Sequence, residues 1–328
     1  MNDFEHSYAR LTPDLILAAV EHYGYACNGH LLALNSYENR VYQIGLEDGA
    51  FLVAKFYRPE RWSDETILEE HAFAQELVDH QIPVVAPLSQ QGETLHEQAG
   101  FRFAIFPRRG GRWPELDDPD KLLWLGRYLG RLHRVAQSQP FLHRPALTID
   151  SFGTQSVEYL LTRDFIPGHL LPAYETLCRD LLEQIASAYQ RAGQIKLIRT
   201  HGDCHPGNIL WTDHGPHFVD LDDCRRAPAI QDLWMLLSGH HQEQSQALNE
   251  ILEGYREFSD FDARELHLIE ALRTLRMMHY AAWLARRRDD PAFQQAFPWF
   301  GTDKYWEEHI LSLREQAAAL NEPTLSIM

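Results

Sequence analysis

The sequence predicts an α+β fold in two lobes, a small sheet-rich N-lobe followed by a large helical C-lobe. Three observations carry that expectation. About the first hundred residues alternate strand-patterned stretches with helical ones. From Leu122 onward apolar residues recur at helical spacing, and residues 230–320 are almost wholly of that kind. Between the two regimes lies RRGGRWPELDDPD, where a Gly-containing hinge is expected near residues 107–112. The expected division is therefore 1–107 and 108–328. A crevice between two lobes is a frequent home for small ligands.

Taken in order, Pro13-Asp14 followed by LILAAVEHYG predicts a short amphipathic helix that Gly24 stops. VYQIGLEDGAFLVAKFY predicts a β-hairpin. Val41, Tyr42 and Ile44 lead in, Glu47-Asp48-Gly49 turns, Phe51–Tyr57 leads out, and Pro59 ends the strand. Ser63-Asp64-Glu65-Thr66 opens a helix to about residue 80, with Leu68, Phe73, Leu77 and Val78 as its apolar positions. IPVVAPL and GFRFAIFP are expected as strands, with a turn at Gln91-Gly92. Helices follow over LLWLGRYLGRLHRVAQ and residues 171–192. Short strands are expected at Leu197-Ile198 and at His217–Asp220.

A chain of 328 residues that is 45% hydrophobic can bury a sizeable core. A formal net charge of −17 argues against general affinity for nucleic acid or an anionic membrane. The densest basic run, Arg286-Arg287-Arg288, is expected to be a solvated helix end. Cys27, Cys178, Cys204 and Cys224 form no C-x-x-C pair, which suits reduced thiols in a cytoplasmic protein. The N-terminus MNDFEHSYARLTPD has no apolar segment of a signal peptide, and no run approaches the ~18 apolar residues of a membrane span. A cytoplasmic monomer that engages neither membrane nor nucleic acid is expected.

The chemistry concentrates in HGDCHPGNILWTDHGPHFVDLDD. Asp203, Asn208, Asp220, Asp222 and Asp223 supply oxygen, with five residues from Asp203 to Asn208 and twelve more to Asp220. Such ligands suit Mg²⁺, which takes few protein carboxylates and completes its shell with water and phosphate. Gly207 is expected to let the backbone turn tightly. Phosphoryl transfer needs a carboxylate for the acceptor's proton, a metal cage and a cation on the phosphates. Asp203 fits the first role, and Asn208 with Asp220 the second. Lys55, in the strand-like LVAKFY, fits the third, and Glu70 stands fifteen residues later on the next helix. That order is the protein-kinase plan. Asp222 and Asp223 stay ambiguous as further metal contacts. His201-x-Asp203-x-His205 as a transition-metal site is the weaker reading, because Pro206 and Gly207 break the strand and no further histidine stands at ligand spacing. Cys204 and Cys224 are read as packed thiols.

HGDxHxGNI followed by VDLDD, with Asp232 in AIQDLWMLL, resembles the aminoglycoside phosphotransferase/choline kinase branch of the protein-kinase-like fold. LNSYENRVYQ, VAKFYRPERW, ILEEH, GRYLGRLH, RTHGDCHPGNILW, FVDLDD, QDLWMLL and FPW, in that order over nearly the whole chain, resemble the bacterial stress response kinase A family. The resemblance implies a kinase fold that uses ATP and Mg²⁺ and transfers the γ-phosphate to Ser/Thr hydroxyls of a protein substrate in envelope and oxidative stress. It implies Asp203 as base, Asn208 and Asp220 as Mg²⁺ ligands, Lys55 on the phosphates and Glu70, rather than Glu69, as its partner. Asp232 would brace the catalytic loop, and Ile105–Phe106 would form the hinge that meets adenine. No G-x-G-x-x-G precedes Lys55. The segment from Asn35 to Arg40 takes its place, so Ser36 and Asn39 become candidate phosphate contacts, with Ser36 also a candidate autophosphorylation point. The motifs leave open a small-molecule acceptor, a choline-, homoserine- or aminoglycoside-like alcohol. Phe297, Trp299, Phe300, Tyr305 and Trp306 are expected to pack a core rather than line an acceptor site.

Overall fold

The computed structural model describes residues 8, 10–34 and 36–328. Five N-terminal strands, β1 (Cys27–Ala33), β2 (Arg40–Leu46), β3 (Phe51–Phe56), β4 (His96–Gln98) and β5 (Phe101–Pro107), form one antiparallel sheet in the order β1-β2-β3-β5-β4. The hairpin stands as its pattern predicts. Val41 lies opposite Lys55, and Gly49 takes φ 86° in the turn, a conformation open to glycine. Two strands of this sheet escape the sequence pattern. β1 is an edge strand whose residues are nearly all exposed or half-exposed, so no apolar alternation marks it, and β4 has only three residues.

IPVVAPL is not a strand of the sheet. Pro83 and Pro87 bring no N–H, and only an isolated bridge and one further link form: Val85 N–H to Phe218 O at 3.1 Å with Phe218 N–H to Pro83 O at 2.8 Å, and Leu88 N–H to Ile105 O at 2.7 Å. The segment thereby ties the sheet to the far half of the chain.

The helices are α1 (Pro13–His22), α2 (Asp64–Asp79), α3 (Pro119–Ala136), α4 (Gln155–Leu161), α5 (Leu171–Ala192), α6 (Ile230–Leu233), α7 (His241–Tyr255), α8 (Ile269–Arg286), α9 (Phe293–Ala296) and α10 (Asp303–Ala319). Among them run two short ribbons, β6 (Ile198–Thr200) with β9 (Arg225–Ala227), and β7 (Ile209–Thr212) with β8 (Gly215–Phe218). β8 ends two residues before the expected limit, because Asp220 leaves the extended region at φ 60° and ψ 65°. No helix among the described residues is long and apolar enough to cross a membrane.

Capping sets the helix starts. The Thr12 hydroxyl accepts the Leu15 N–H with Pro13 behind it, and the Ser63 hydroxyl accepts the Thr66 N–H. α1 lays Ile16, Ala19 and Val20 on the sheet, sharing a core with Ile44, Phe56 and Phe103. The inward face of α2 is Ile67, Glu70, His71, Phe73, Ala74 and Leu77. Leu68 and Val78, expected inside, are 44% and 38% exposed, because the buried stripe runs one position away from each. Phe73 and Leu77 belong to the large helical core with Leu125 and Leu129. α2 therefore fastens the sheet to the helices. Trp306 is fully buried against Tyr174, Phe300 and Tyr305, so these aromatics pack a core, whereas Trp299, expected with them, is 43% exposed.

α3 and α7 approach through glycines. A Cβ on Gly126 would stand 2.0 Å from Ile251 O, and one on Gly254 would stand 2.2 Å from Leu123 O. Both obstacles are backbone, so the helices must separate to admit a methyl. Gly126→Ala is expected to cost about 1–3 kcal/mol of stability. Urea denaturation followed by circular dichroism checks this, and an unshifted midpoint contradicts it.

Candidate active site

Between the sheet and the helical part lies a cleft of about 370 Å³. Val41, Val53, Val85 and Phe106 wall it from the sheet side, and Asn208, Leu210, Val219 and Asp220 from the other. Lys55 sits at its inner end, 6% exposed, on β3 between Val41 of β2 and Ala104 of β5. Its Nζ lies 3.0 Å from Asp220 Oδ1, 3.1 Å from Asp222 Oδ1 and 3.5 Å from Glu70 Oε1. Burial alone would lower the lysine pKa, but Asp220, Asp222 and Glu70 together outweigh it and raise it well above the ordinary range. Lys55 is therefore a fixed ammonium.

The carboxylates around it are held by arginines. Glu70 Oε2 accepts Arg144 Nη2 at 2.6 Å, and Arg144 is itself fully buried. Glu69, the neighbouring acid, instead accepts the backbone N–H groups of Leu142, His143 and Arg144. Arg61 binds Asp222 through Nη1 and Asp223 through Nη2, the latter at 2.9 Å. Burial pushes the Asp222 carboxyl up, yet Arg61 and Lys55 hold it at about 2. Arg61 stands in VAKFYRPERW, where the resemblance implies no role for it, and Arg144 lies in no motif. Each meets its acid from a loop distant in sequence, 161 residues from Asp222 for Arg61 and 74 from Glu70 for Arg144.

The loop from His201 to Asn208 hangs on one buried acid. Asp232, on α6, accepts His201 N–H at 2.7 Å and Gly202 N–H at 2.9 Å, while His133 Nε2 lies 3.0 Å from its Oδ2. Gly202 takes φ 84°, and a Cβ there would stand 2.2 Å from Asp223 O, so only glycine fits. Gly207 lies in the tight turn Pro206–Asn208, as expected, though without a positive φ. Its glycine matters for space instead, since a Cβ would meet the His205 ring at 2.6 Å. Asn208 Nδ2 donates to Asp203 O at 3.0 Å, which leaves its Oδ1 without a donor among the described residues. Asp220 keeps a half-exposed carboxylate beside it on the cleft wall. An amide oxygen and a carboxylate oxygen fit a hard divalent cation such as Mg²⁺. His201 Nε2 is spent on Val219 O at 2.9 Å and His205 accepts the Gly207 N–H. Among the described residues no three His, Cys, Asp or Glu groups gather as for a transition metal.

Asp203 opens onto a second cavity of about 580 Å³ that shares Ser36, Asn208 and Asp220 with the cleft. Arg276 Nη1, from α8, lies 2.5 Å from Asp203 Oδ1. Burial would raise the Asp203 pKa, but His205 and Arg276 hold it far below the usual carboxylate range. Cys204 and Cys224 are buried, and burial raises both thiols, Cys224 to about 12. They are not poised as thiolates.

The remaining expected residues divide. Phe106 lines the cleft, whereas Ile105 is fully buried in the sheet core. Asn39 is 3% exposed and its Oδ1 accepts Arg58 N–H at 3.1 Å, so its side chain shapes the loop from within. Ser36 faces both cavities and donates to Asn39 O at 3.1 Å. Asn35 lies outside the described residues. Glu38 clamps this loop to α8, accepting Trp283 Nε1 and Arg287 Nε at 2.9 and 2.6 Å. Arg287 is thus a bridging residue rather than part of a solvated helix end, while Arg286 and Arg288 are exposed.

The phosphotransferase enzyme family model matches residues 30–269. Stress response kinase A of Escherichia coli strain K12 is 45% identical over 327 residues, covering 100% of this chain and 99% of that protein. Serine/threonine protein kinase RdoA of Salmonella typhimurium is likewise 45% identical, with the same coverage. Among solved structures, amicoumacin kinase hAmiN in complex with AMP-PNP, Ca²⁺ and Ami superposes with a TM-score of 0.73 at 20% identity, covering 94% of this chain and 96% of that one. The fold is thus the kinase-like one.

Asp232→Ala strips two buried N–H groups and His133 of their acceptor. It is expected to cost about 3–5 kcal/mol. A denaturant midpoint within error of the parent chain contradicts this support role.

Proposed function

The chain belongs to the phosphotransferase enzyme family, within the stress response kinase A group, and from that premise we propose that it is an ATP- and Mg²⁺-dependent kinase of protein serine and threonine. The observation that carries the proposal is the convergence of Lys55 Nζ on Asp220 Oδ1 at 3.0 Å across the cleft. It sets a buried ammonium beside the acid and amide that fit a divalent ion. In this reading residues 1–107 hold the nucleotide and residues 108–328 carry the catalytic loop and the acceptor site.

Lys55 pairs with the nucleotide phosphates, and Glu70 keeps its chain aimed at them. The apolar walls at Val41, Val53 and Phe106 take the adenine, and Ser36 lies where the phosphates enter. Asn208 and Asp220 hold Mg²⁺, which when bound neutralises phosphate charge. Asp203 orients the acceptor hydroxyl and receives its proton. The hydroxyl oxygen then bonds to the γ-phosphorus as the bond to the β–γ bridging oxygen breaks, and ADP leaves. Protein as acceptor is supported by the name of the Salmonella typhimurium relative.

Incubation of the full chain with labelled ATP and a serine peptide library tests the reading. Label on serine or threonine is expected, and label confined to added alcohols overturns the protein acceptor. Asp203→Ala is expected to lose about 10²–10⁴ in turnover while still binding ATP. Near-parental turnover removes Asp203 from its role. Lys55→Met is expected to weaken ATP binding as well as turnover, and an unchanged ATP dissociation constant by calorimetry counts against its phosphate contact.

A further inference from the structure

One face of α8 bears Arg276, His279, Tyr280, Trp283, Arg286 and Arg287 at helical spacing, and all six line the cavity that opens at Asp203. The acids of that cavity are already matched. Glu38 is held by Arg58 and Arg287, Asp222 and Asp223 by Arg61 and Arg225, and Asp220 by Lys55. Two arginines stand apart from this accounting. Arg286 pairs with no carboxylate among the described residues and stacks on Tyr159 at 4.8 Å. Arg276 occupies the base itself, its Nη1 lying 2.5 Å from Asp203 Oδ1, with a side chain 43% exposed. A hydroxyl that approaches Asp203 through Oδ1 meets that guanidinium in its path, whereas Oδ2 has His205 Nε2 and Asn208 Nδ2 at 3.5 Å.

We propose that the acceptor is an acidic protein segment, whose carboxylate draws Arg276 off Asp203 and whose further negative charge meets Arg286. This rests on the kinase reading above and names its substrate class. A neutral or cationic acceptor offers Arg276 no replacement partner, and a cationic one also faces Arg286 as a like charge. An acidic one exchanges one ion pair for another and frees Asp203 for the acceptor proton in the same act. Arg276 is then a specificity residue for the acceptor and, through Asp203, a positioning residue for the transfer.

The test uses the full chain with ATP and Mg²⁺ and serine peptides flanked by glutamate or by lysine. Glycerate and ethanolamine serve as a parallel pair of small alcohols. Binding of the serine-to-alanine versions of both peptides is measured by calorimetry on the same samples. The parent chain is expected to favour the glutamate peptide over the lysine peptide by about tenfold or more in kcat/KM, and likewise in binding. Arg276→Glu is expected to reverse the ratio, and Arg276→Lys to retain its direction. Because each readout is a ratio within one variant, a general loss of activity does not imitate it. Equal use of the two peptides, or a preference that survives Arg276→Glu, overturns the proposal while leaving a protein kinase in place. Label on glycerate alone, with the same Arg276-dependent ratio, overturns the protein acceptor but keeps the anionic one. No difference in binding and no transfer to any acceptor overturns both.

Discussion

Three carboxylates around one buried ammonium organise the molecule. Lys55 comes from the sheet, Glu70 from α2, and Asp220 and Asp222 from the far half of the chain. A buried lysine is costly unless paired, and the buried carboxylates of Glu70 and Asp222 would be costly without a cation. The pairing is therefore mutual, and it draws the two halves together. Arg61 and Arg144 complete it by neutralising the charge that one lysine leaves over. Asp220 stands in the left-handed region, at φ 60° and ψ 65°.

The loop from His201 to Asn208 is held by a separate device. Asp232 fixes the backbone from beneath, Gly202 allows the close pass over Asp223, and α8 closes the far side through Arg276 and through the Glu38 clamp. This clamp stands where a glycine-rich loop is found in protein kinases. Charge pairs to α8 here do the holding, and the loop keeps side chains in place of glycines. The Ser36–Arg40 loop and the Asp203 loop are consequently linked through one helix.

How much of this the sequence displayed depends on whether the signal was local. The hairpin around Gly49 and the helices α3 and α5 carry strong periodicity, and they lie where the pattern places them. The loop residues Asp203 and Asn208 share one short stretch, so their proximity was legible. β1 was not, because an exposed edge strand with Asn28, Gly29 and His30 shows no alternation. IPVVAPL misled in the other direction, an apolar run whose prolines keep it out of the sheet. At Leu68 and Val78 the apolar residue type was a poor guide, since the packing face was set by Ile67, Phe73 and Leu77 around them. Ile105 is drawn into the sheet core by strand alternation, while its neighbour Phe106 faces the cleft. The arginines that govern the site had no spacing to betray them, because Arg144 meets an acid 74 residues away and Arg276 one 73 residues away.

The central claim is that Lys55, Asn208 and Asp220 together hold the terminal phosphates and their metal. A crystal structure of the full chain with AMP-PNP and Mg²⁺ tests it most directly. The account predicts Lys55 Nζ in hydrogen-bond contact with the phosphates and the ion on Asn208 and Asp220. Nucleotide bound in another cavity, with Lys55 still closed on its three carboxylates, would contradict it.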